Sequence, residues 1–218
     1  MESKNTGIFF LKLSAPLFIV LVFSCLAFPK AESFITLNFY HSSSLNSFFE
    51  IYTYLGDGLF PTVLAVLLLI WRKYELGIKV LSSFLLSGLV AQILKTIFHA
   101  PRPKVFLANG TYPYFIDGVT HSGLTSFPSG HSTTAFALAA TLAFNTQSKY
   151  KTLAYFLLAT LTLYSRIYLG QHFLEDTTAG VFIGTSTAIG VEYLSKRVKF
   201  RLPKKSSRIN NEPITIEF

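Results

Sequence analysis

An all-α, polytopic bundle of membrane helices is the fold class this sequence predicts, and three observations predict it. Half of the 218 residues are hydrophobic, with 22 Phe and 11 Tyr among them. Only 14% are charged, where a soluble domain of this size carries roughly a quarter. The apolar residues also gather into six stretches separated by short polar or basic turns. A net charge of +8 raises the question of nucleic acid. About half of the basic residues, however, lie in short loops and the C-terminal tail, a distribution that orients membrane helices. No nucleic-acid partner is expected. Cys25 stands alone, so no internal disulfide can form.

The first stretch, residues 8–28, contains Pro16 and is followed directly by Lys30 and Glu32 without a small-x-small cleavage site. It therefore reads as a span and not a signal peptide. The second covers 55–71 and the third 76–98, joined by the basic turn Arg72-Lys73-Tyr74-Glu75. Residues 99–129 form the longest loop, rich in Pro, Gly and aromatics. A fourth helix over 129–144, a fifth over 152–168 and a sixth over 177–193 complete the set. Several fall short of the ~20 apolar residues needed to cross a bilayer, which is tolerable where a helix end is covered by protein. One membrane domain over 1–195 and a basic tail over 196–218 are expected. Lys4, Lys12, Arg72, Lys73, Lys79, Lys149, Lys151 and the tail fall on one side. The positive-inside bias makes that side, and both termini, cytoplasmic.

Three polar fragments then meet at the opposite surface. Lys95 and Arg102 flank the outer end of the third helix, and Arg166 sits near the outer end of the fifth. Cations at such depth are costly without a partner. Glu175, Asp176 and Asp57 are too few to neutralise them, so a bound anion is the natural complement. Arg offers a planar fork for phosphate oxygens and Lys a point charge. Ser129 and Gly130 open the fourth helix, where unpaired N–H groups and the helix dipole favour an anion. His131 follows in the first turn, positioned to give a proton to a leaving oxygen. His172 and Asp176 are spaced i,i+4, on one face if helical. A carboxylate on one imidazole nitrogen leaves the other free to attack. A metal on this pair would lack a clustered third ligand and would be repelled by the cations. No metal or other cofactor is expected.

Lys95-x6-Arg102-Pro103, Pro128-Ser129-Gly130-His131 and Ser165-Arg166-x5-His172-x3-Asp176 together resemble the three-part signature of the type 2 phosphatidic acid phosphatase superfamily. That group of integral membrane lipid phosphate phosphatases is similar in its core to vanadium haloperoxidases. The resemblance covers about residues 55–195 and implies six transmembrane helices and metal-independent hydrolysis of a lipid phosphomonoester or diphosphate. Polyprenyl diphosphate, phosphatidylglycerophosphate, phosphatidic acid and lipid A phosphate are among the family's substrates. It further implies that His172 attacks phosphorus to give a phosphohistidine and Asp176 orients it. His131 would protonate the leaving group, while Lys95, Arg102, Ser129, Gly130 and Arg166 hold the phosphoryl oxygens. Lipid-to-lipid phosphoryl transfer on the same site is one alternative, and non-catalytic binding of a lipid phosphate is another. The setting expected is a bacterial inner membrane, with the site on its periplasmic or extracytoplasmic face.

Other residues carry smaller expectations. His41 and His121 read as solvated, and His99 as a spacer. Leu55-Gly56-Asp57-Gly58 reads as a turn or cap that can also close the site from one side. Tyr112, Tyr114 and Phe115 fit either a lipid headgroup or an interfacial aromatic belt. Asn109-Gly110-Thr111 matches a glycosylation acceptor.

Overall fold

The computed structural model describes residues 3–107 and 112–197. The tail beyond 197 and the Asn109-Gly110-Thr111 pattern lie outside the described residues. Helix α1 (Ser3–Ala27) leads to two short helices, α2 (Lys30–Leu37) and α3 (Ser43–Tyr52). A 3-10 turn (Thr53–Gly56) connects α3 to α4 (Leu59–Ile70). Then come α5 (Tyr74–Phe98), the single turn α6 (Pro103–Phe106), α7 (Gly130–Phe144), α8 (Lys149–Tyr168) and α9 (Leu174–Arg197).

Helix α7 is the centre of the bundle. Its residues Ser132–Ala143 are almost all buried, and α5, α8, α9 and α1 pack around it. The sequence permits this because α7 is built from Ala, Ser and Thr, which let neighbouring backbones approach closely. The tightest approach is to α9. A Cβ on Gly184 would stand 2.3 Å from the Thr133 carbonyl oxygen and 2.8 Å from Ala137 N, and one on Gly180 would stand 2.7 Å from Ser132 Cβ. Gly180 and Gly184 thus form a groove, four residues apart, into which α7 seats. Thr141 adds a hydrogen bond to Ser83 of α5 (2.8 Å).

By length and composition, Thr6–Ala27 and Tyr74–Phe106 qualify as membrane spans, and α3 through α4 make a third if that pair, bent by 50°, is one span. Helix α7, with 15 residues, is too short to qualify, and α8 and α9 are too rich in Ser, Thr, Gly and charged residues. The expected second span also starts later than residue 55, because residues 53–56 belong to the 3-10 turn.

Residues 29–54 had suggested no element, yet they form α2 and α3. Ser42 caps α3, its hydroxyl accepting from Leu45 N (3.3 Å). Phe34 of α2 is fully buried, its ring 5.1 Å from Tyr112 and 5.4 Å from Phe173. Tyr112 is therefore a core residue and not a headgroup or belt residue. Its hydroxyl lies 3.1 Å from the Asn38 carbonyl and 2.8 Å from His41 Nε2. His41 in turn stacks on Tyr168 (4.2 Å between centroids), which corrects the solvated reading: Tyr112, Tyr114 and Tyr168 half-bury it. His121 is exposed as expected.

Candidate active site

Alternating helix directions bring the end of α5, the start of α7, the end of α8 and the start of α9 to one end of the bundle. Lys95, Arg102, Gly130, His131, Arg166 and His172 line one cavity of about 450 Å³ there. Two more expected residues stand behind its wall. Ser129 and Asp176 are each fully buried, and Ser129 N donates to the Asp176 carbonyl (2.9 Å). All eight expected residues therefore converge at one place. The sequence separates the first from the last by more than a third of the chain.

Each arrives by a local device. Helix α5 stops at His99, which takes a left-handed conformation (φ 42°) just before Pro101 and Pro103, residues that cannot continue a helix. The chain then turns, and Arg102 N donates to the Gly123 carbonyl (2.9 Å). Ser129 caps α7: its hydroxyl accepts from Ser132 N (3.4 Å). The unpaired N–H groups of Gly130 and His131 are left at the cavity. Helix α8 ends in Gly170, at φ 64°, where a side chain would be strained and would crowd Phe115 and Thr120. This turn aims Gln171 and His172 back at Arg166, whose carbonyl accepts from both backbone N–H groups (3.0 and 3.2 Å).

His172 and Asp176 do not share a helix, as the i,i+4 spacing had suggested. His172 lies in the loop and Asp176 in the first turn of α9. Asp176 Oδ2 accepts from Phe173 N (2.8 Å) and from the Ser126 hydroxyl (2.5 Å). The first bond is the reciprocal half of a helix-capping box. His172 Nδ1 faces the same oxygen at 3.6 Å and makes no hydrogen bond, while its ring is 2% exposed.

The cations are held but not neutralised. Arg166 Nη1 donates to the Thr53 hydroxyl (2.6 Å), and its Nε is buried without a partner. Arg102 Nη1 donates to Gln171 Oε1 (2.6 Å), and Lys95 Nζ to the Thr125 carbonyl (3.1 Å). These partners are neutral oxygens, which orient a cation without cancelling its charge. Glu175 is committed elsewhere, paired with Lys30, whose ammonium also lies 4.2 Å from the Phe173 ring centroid. Burial holds the His172 imidazole well below its ordinary pKa, and Arg166, Arg102 and Lys95 push it further down. His172 is neutral at pH 7 as a result. Among the described residues no group of three or more His, Cys, Asp and Glu side chains is placed to hold a metal ion.

Sequence reasoning missed Ser126, Gln171 and Thr53. Ser126 stands two residues before Pro128 and Gln171 directly before His172, so adjacency to the motifs was their only signal. Thr53 had none, because its contact with Arg166 spans 113 positions. Asp57 lines the cavity and also accepts from Leu59 N (3.0 Å); it is both a turn residue and part of the wall.

Comparison with known proteins agrees with this geometry. Residues 76–199 match the family model of the PAP2 superfamily. Lipid A 4'-phosphatase of Porphyromonas gingivalis is 28% identical over 157 residues, covering 69% of this chain and 66% of that protein. Undecaprenyl-diphosphatase of Sulfolobus acidocaldarius is 27% identical over 177 residues, 81% of each. The crystal structure of Aquifex aeolicus LpxE superposes with a TM-score of 0.64 at 31% identity, covering 74% of this chain and 93% of that one. The first transmembrane PAP2 type phosphatidylglycerolphosphate phosphatase from Bacillus subtilis shares the fold, with a TM-score of 0.64 at 24% identity over 92% of this chain and 99% of that one. The family match takes in every residue of the converging cluster, and the chain belongs to the PAP2 superfamily.

Proposed function

We propose that this chain is a membrane lipid phosphatase that hydrolyses a lipid phosphomonoester or diphosphate through a phosphohistidine at His172. One observation carries the reading: a neutral, buried imidazole shares a cavity with three cations that no carboxylate pairs at hydrogen-bond distance. A phosphoryl group is the ligand such a cavity suits. With Nδ1 turned to Asp176, Nε2 of His172 is the free nucleophile. It attacks phosphorus as the bond to the leaving oxygen breaks, and His131 gives that oxygen its proton. Lys95, Arg102, Arg166 and the N–H groups at Gly130 hold the equatorial oxygens as charge moves onto them, with Ser129 fixing the helix start. Asp176 balances the positive charge that forms on His172. Water then loses a proton to His131 and attacks phosphorus. The P–N bond breaks, its electron pair returns to Nε2, and inorganic phosphate leaves.

An apolar groove supports a lipid substrate. A cavity of about 140 Å³ between α4, α7 and α8 is lined by Leu55, Leu64, Leu138 and Leu158. It begins one residue from Gly56, where a Cβ would touch the His131 carbonyl oxygen. An acyl or prenyl chain lying there would leave its phosphate at His131. The polyprenyl, glycerophosphate, phosphatidic acid and lipid A substrates all remain candidates. We assign six spans, one membrane domain over residues 1–195 with a basic cytoplasmic tail, and a site on the outer face of a bacterial inner membrane.

The test is a rapid quench of purified protein with phosphorus-labelled lipid phosphates in excess chelator. Label is expected on the protein in an acid-labile, base-stable bond, with turnover that needs no added divalent metal. His172→Ala should lose both label and turnover while still binding lipid. Substantial turnover by that variant would overturn the nucleophile, and activity restored only by one metal would overturn the metal-independent mechanism.

A further inference from the structure

One wall of the cavity has no part in the mechanism above. Glu50 at the end of α3, Thr53 and Tyr54 in the 3-10 turn, and Asp57, the extended residue that ends that turn, all line it. Thr53 is spoken for by Arg166. The Glu50 carboxylate and the Tyr54 hydroxyl engage no partner among the described residues, and Tyr54 is 63% exposed. Asp57 accepts from Leu59 N, and its charge also acts on Arg166. This wall stands beside His131: Gly56 is so close that a Cβ there would lie 2.7 Å from the His131 carbonyl oxygen and 3.1 Å from its Cβ. His131 lines the same cavity as this wall, so a leaving group that takes its proton from His131 shares that cavity with Glu50, Tyr54 and Asp57.

The wall's chemistry opposes that of the cage. The cage suits one phosphoryl group, and the buried, unpartnered Nε of Arg166 marks where an anion is wanted. Past it, two carboxylates meet whatever is attached to that phosphate. Carboxylates accept hydrogen bonds from hydroxyls, and a phenol supplies a donor and a flat face. A second phosphate in the same place faces like charge, which costs affinity. We infer that the Glu50–Tyr54–Asp57 wall selects lipid phosphomonoesters whose leaving group carries hydroxyls, a sugar or a polyol, and rejects diphosphates. This rests on the lipid phosphatase reading and narrows it to a substrate class.

The experiment measures kcat/KM of purified full-length protein in mixed micelles for four substrates. Lipid A offers a sugar phosphate, phosphatidylglycerophosphate a polyol phosphate, phosphatidic acid a monoester without hydroxyls, and farnesyl diphosphate a second phosphate. Wild type should favour the sugar or the polyol substrate over the diphosphate by about tenfold or more, the factor that ~1.4 kcal/mol of differential repulsion produces. The sugar and polyol arms decide which source the wall fits, and phosphatidic acid should fall between. Glu50→Gln and Asp57→Asn remove charge and keep shape, and each should shift the ratio about tenfold toward the diphosphate. Inhibition of wild type by soluble headgroups needs no variant: glucosamine 1-phosphate or glycerol 3-phosphate should inhibit more strongly than pyrophosphate. A wild type that prefers the diphosphate, a pyrophosphate that inhibits best, or ratios unmoved in both variants would overturn the wall. If no substrate of the four is hydrolysed, it is the phosphatase reading that fails.

Discussion

In the proposed mechanism the two ring nitrogens of His172 have different tasks, and burial sets the first condition for both. The imidazole attacks only when neutral, and burial with Arg166, Arg102 and Lys95 nearby keeps it neutral well below its ordinary pKa. The acid limb of kcat/KM should therefore lie below about pH 6.5, the unperturbed value. The same shift has a stability sign. Below about pH 6.5 the unfolded chain takes up a proton that folded His172 refuses, so stability falls as pH falls through that range. A rate profile measured from pH 4 to 9 checks this; an acid limb centred above 7 would contradict it. Ser126 belongs at this scale too. Its hydroxyl and Phe173 N share Asp176 Oδ2, fixing the oxygen that faces His172. Ser126→Ala removes a bond to a charged acceptor worth roughly 1.5–3 kcal/mol. If that bond positions the carboxylate in the transition state, kcat falls about 10- to 100-fold with KM little changed, and Ser126→Thr recovers most of it. A lower melting temperature with kcat intact would make Ser126 a stabilising residue only.

At the scale of elements, the contact of α7 with α9 positions the chemistry. The start of α7 carries Ser129 to His131, and the start of α9 carries Asp176, so any widening between the helices separates the helix-start amides from the carboxylate that faces His172. Gly184 is where widening is easiest to force, because its neighbours are the Thr133 carbonyl oxygen and Ala137 N, backbone atoms with no freedom to rotate away. Gly184→Ala should cost about 1–3 kcal/mol from overpacking and lower activity beyond what the lost stability explains. Thermal unfolding and kcat measured on the same preparation separate the two effects. Gly190, with open space around its Cβ position, is the control: alanine there should leave both unchanged.

For the whole molecule, charge is partitioned between the two ends. At the site end Lys30 is engaged by Glu175, and Lys95, Arg102 and Arg166 are turned into the cavity. At the opposite end Lys79, 4% exposed, joins Glu75 (2.6 Å), Glu192 (3.1 Å) and Asn145 (2.9 Å). Lys196 adds a further pair to Glu192 (2.7 Å). This network ties α5, α9 and the end of α7 together where Arg72, Lys73, Lys149 and Lys151 cluster in turns or helix starts. Basic residues in short turns favour the cytoplasmic side, and the orientation proposed on that ground has the cavity outside. In a variant lacking Cys25, a cysteine at position 121 should react with an impermeant reagent added to intact cells, and one at 148 should be protected. The reverse pattern would invert the site.

The helices that carry chemistry were legible because their signals are local. Apolar runs, the Ser129 cap, the proline stop after Lys95 and the motif spacings are all read within a dozen residues. The eight candidate residues could be named for the same reason, since cations near the ends of apolar helices demand an anion wherever the helices go. What only the tertiary structure decided is how these pieces meet. Helices α2 and α3 escaped notice because they are short, and their burial depends on Phe173, Tyr112 and Tyr168, residues far along the chain. The loop position of His172 was hidden by an i,i+4 spacing that suits helix and loop equally. Thr53, Gln171 and the acidic wall on α3 acquire meaning only through long-range packing, which places a helix with no motif of its own against Arg166 and His131. Local physics selects which segments are helical and which ends are charged; the close approach of small residues on α7 and α9 decides which ends share a cavity.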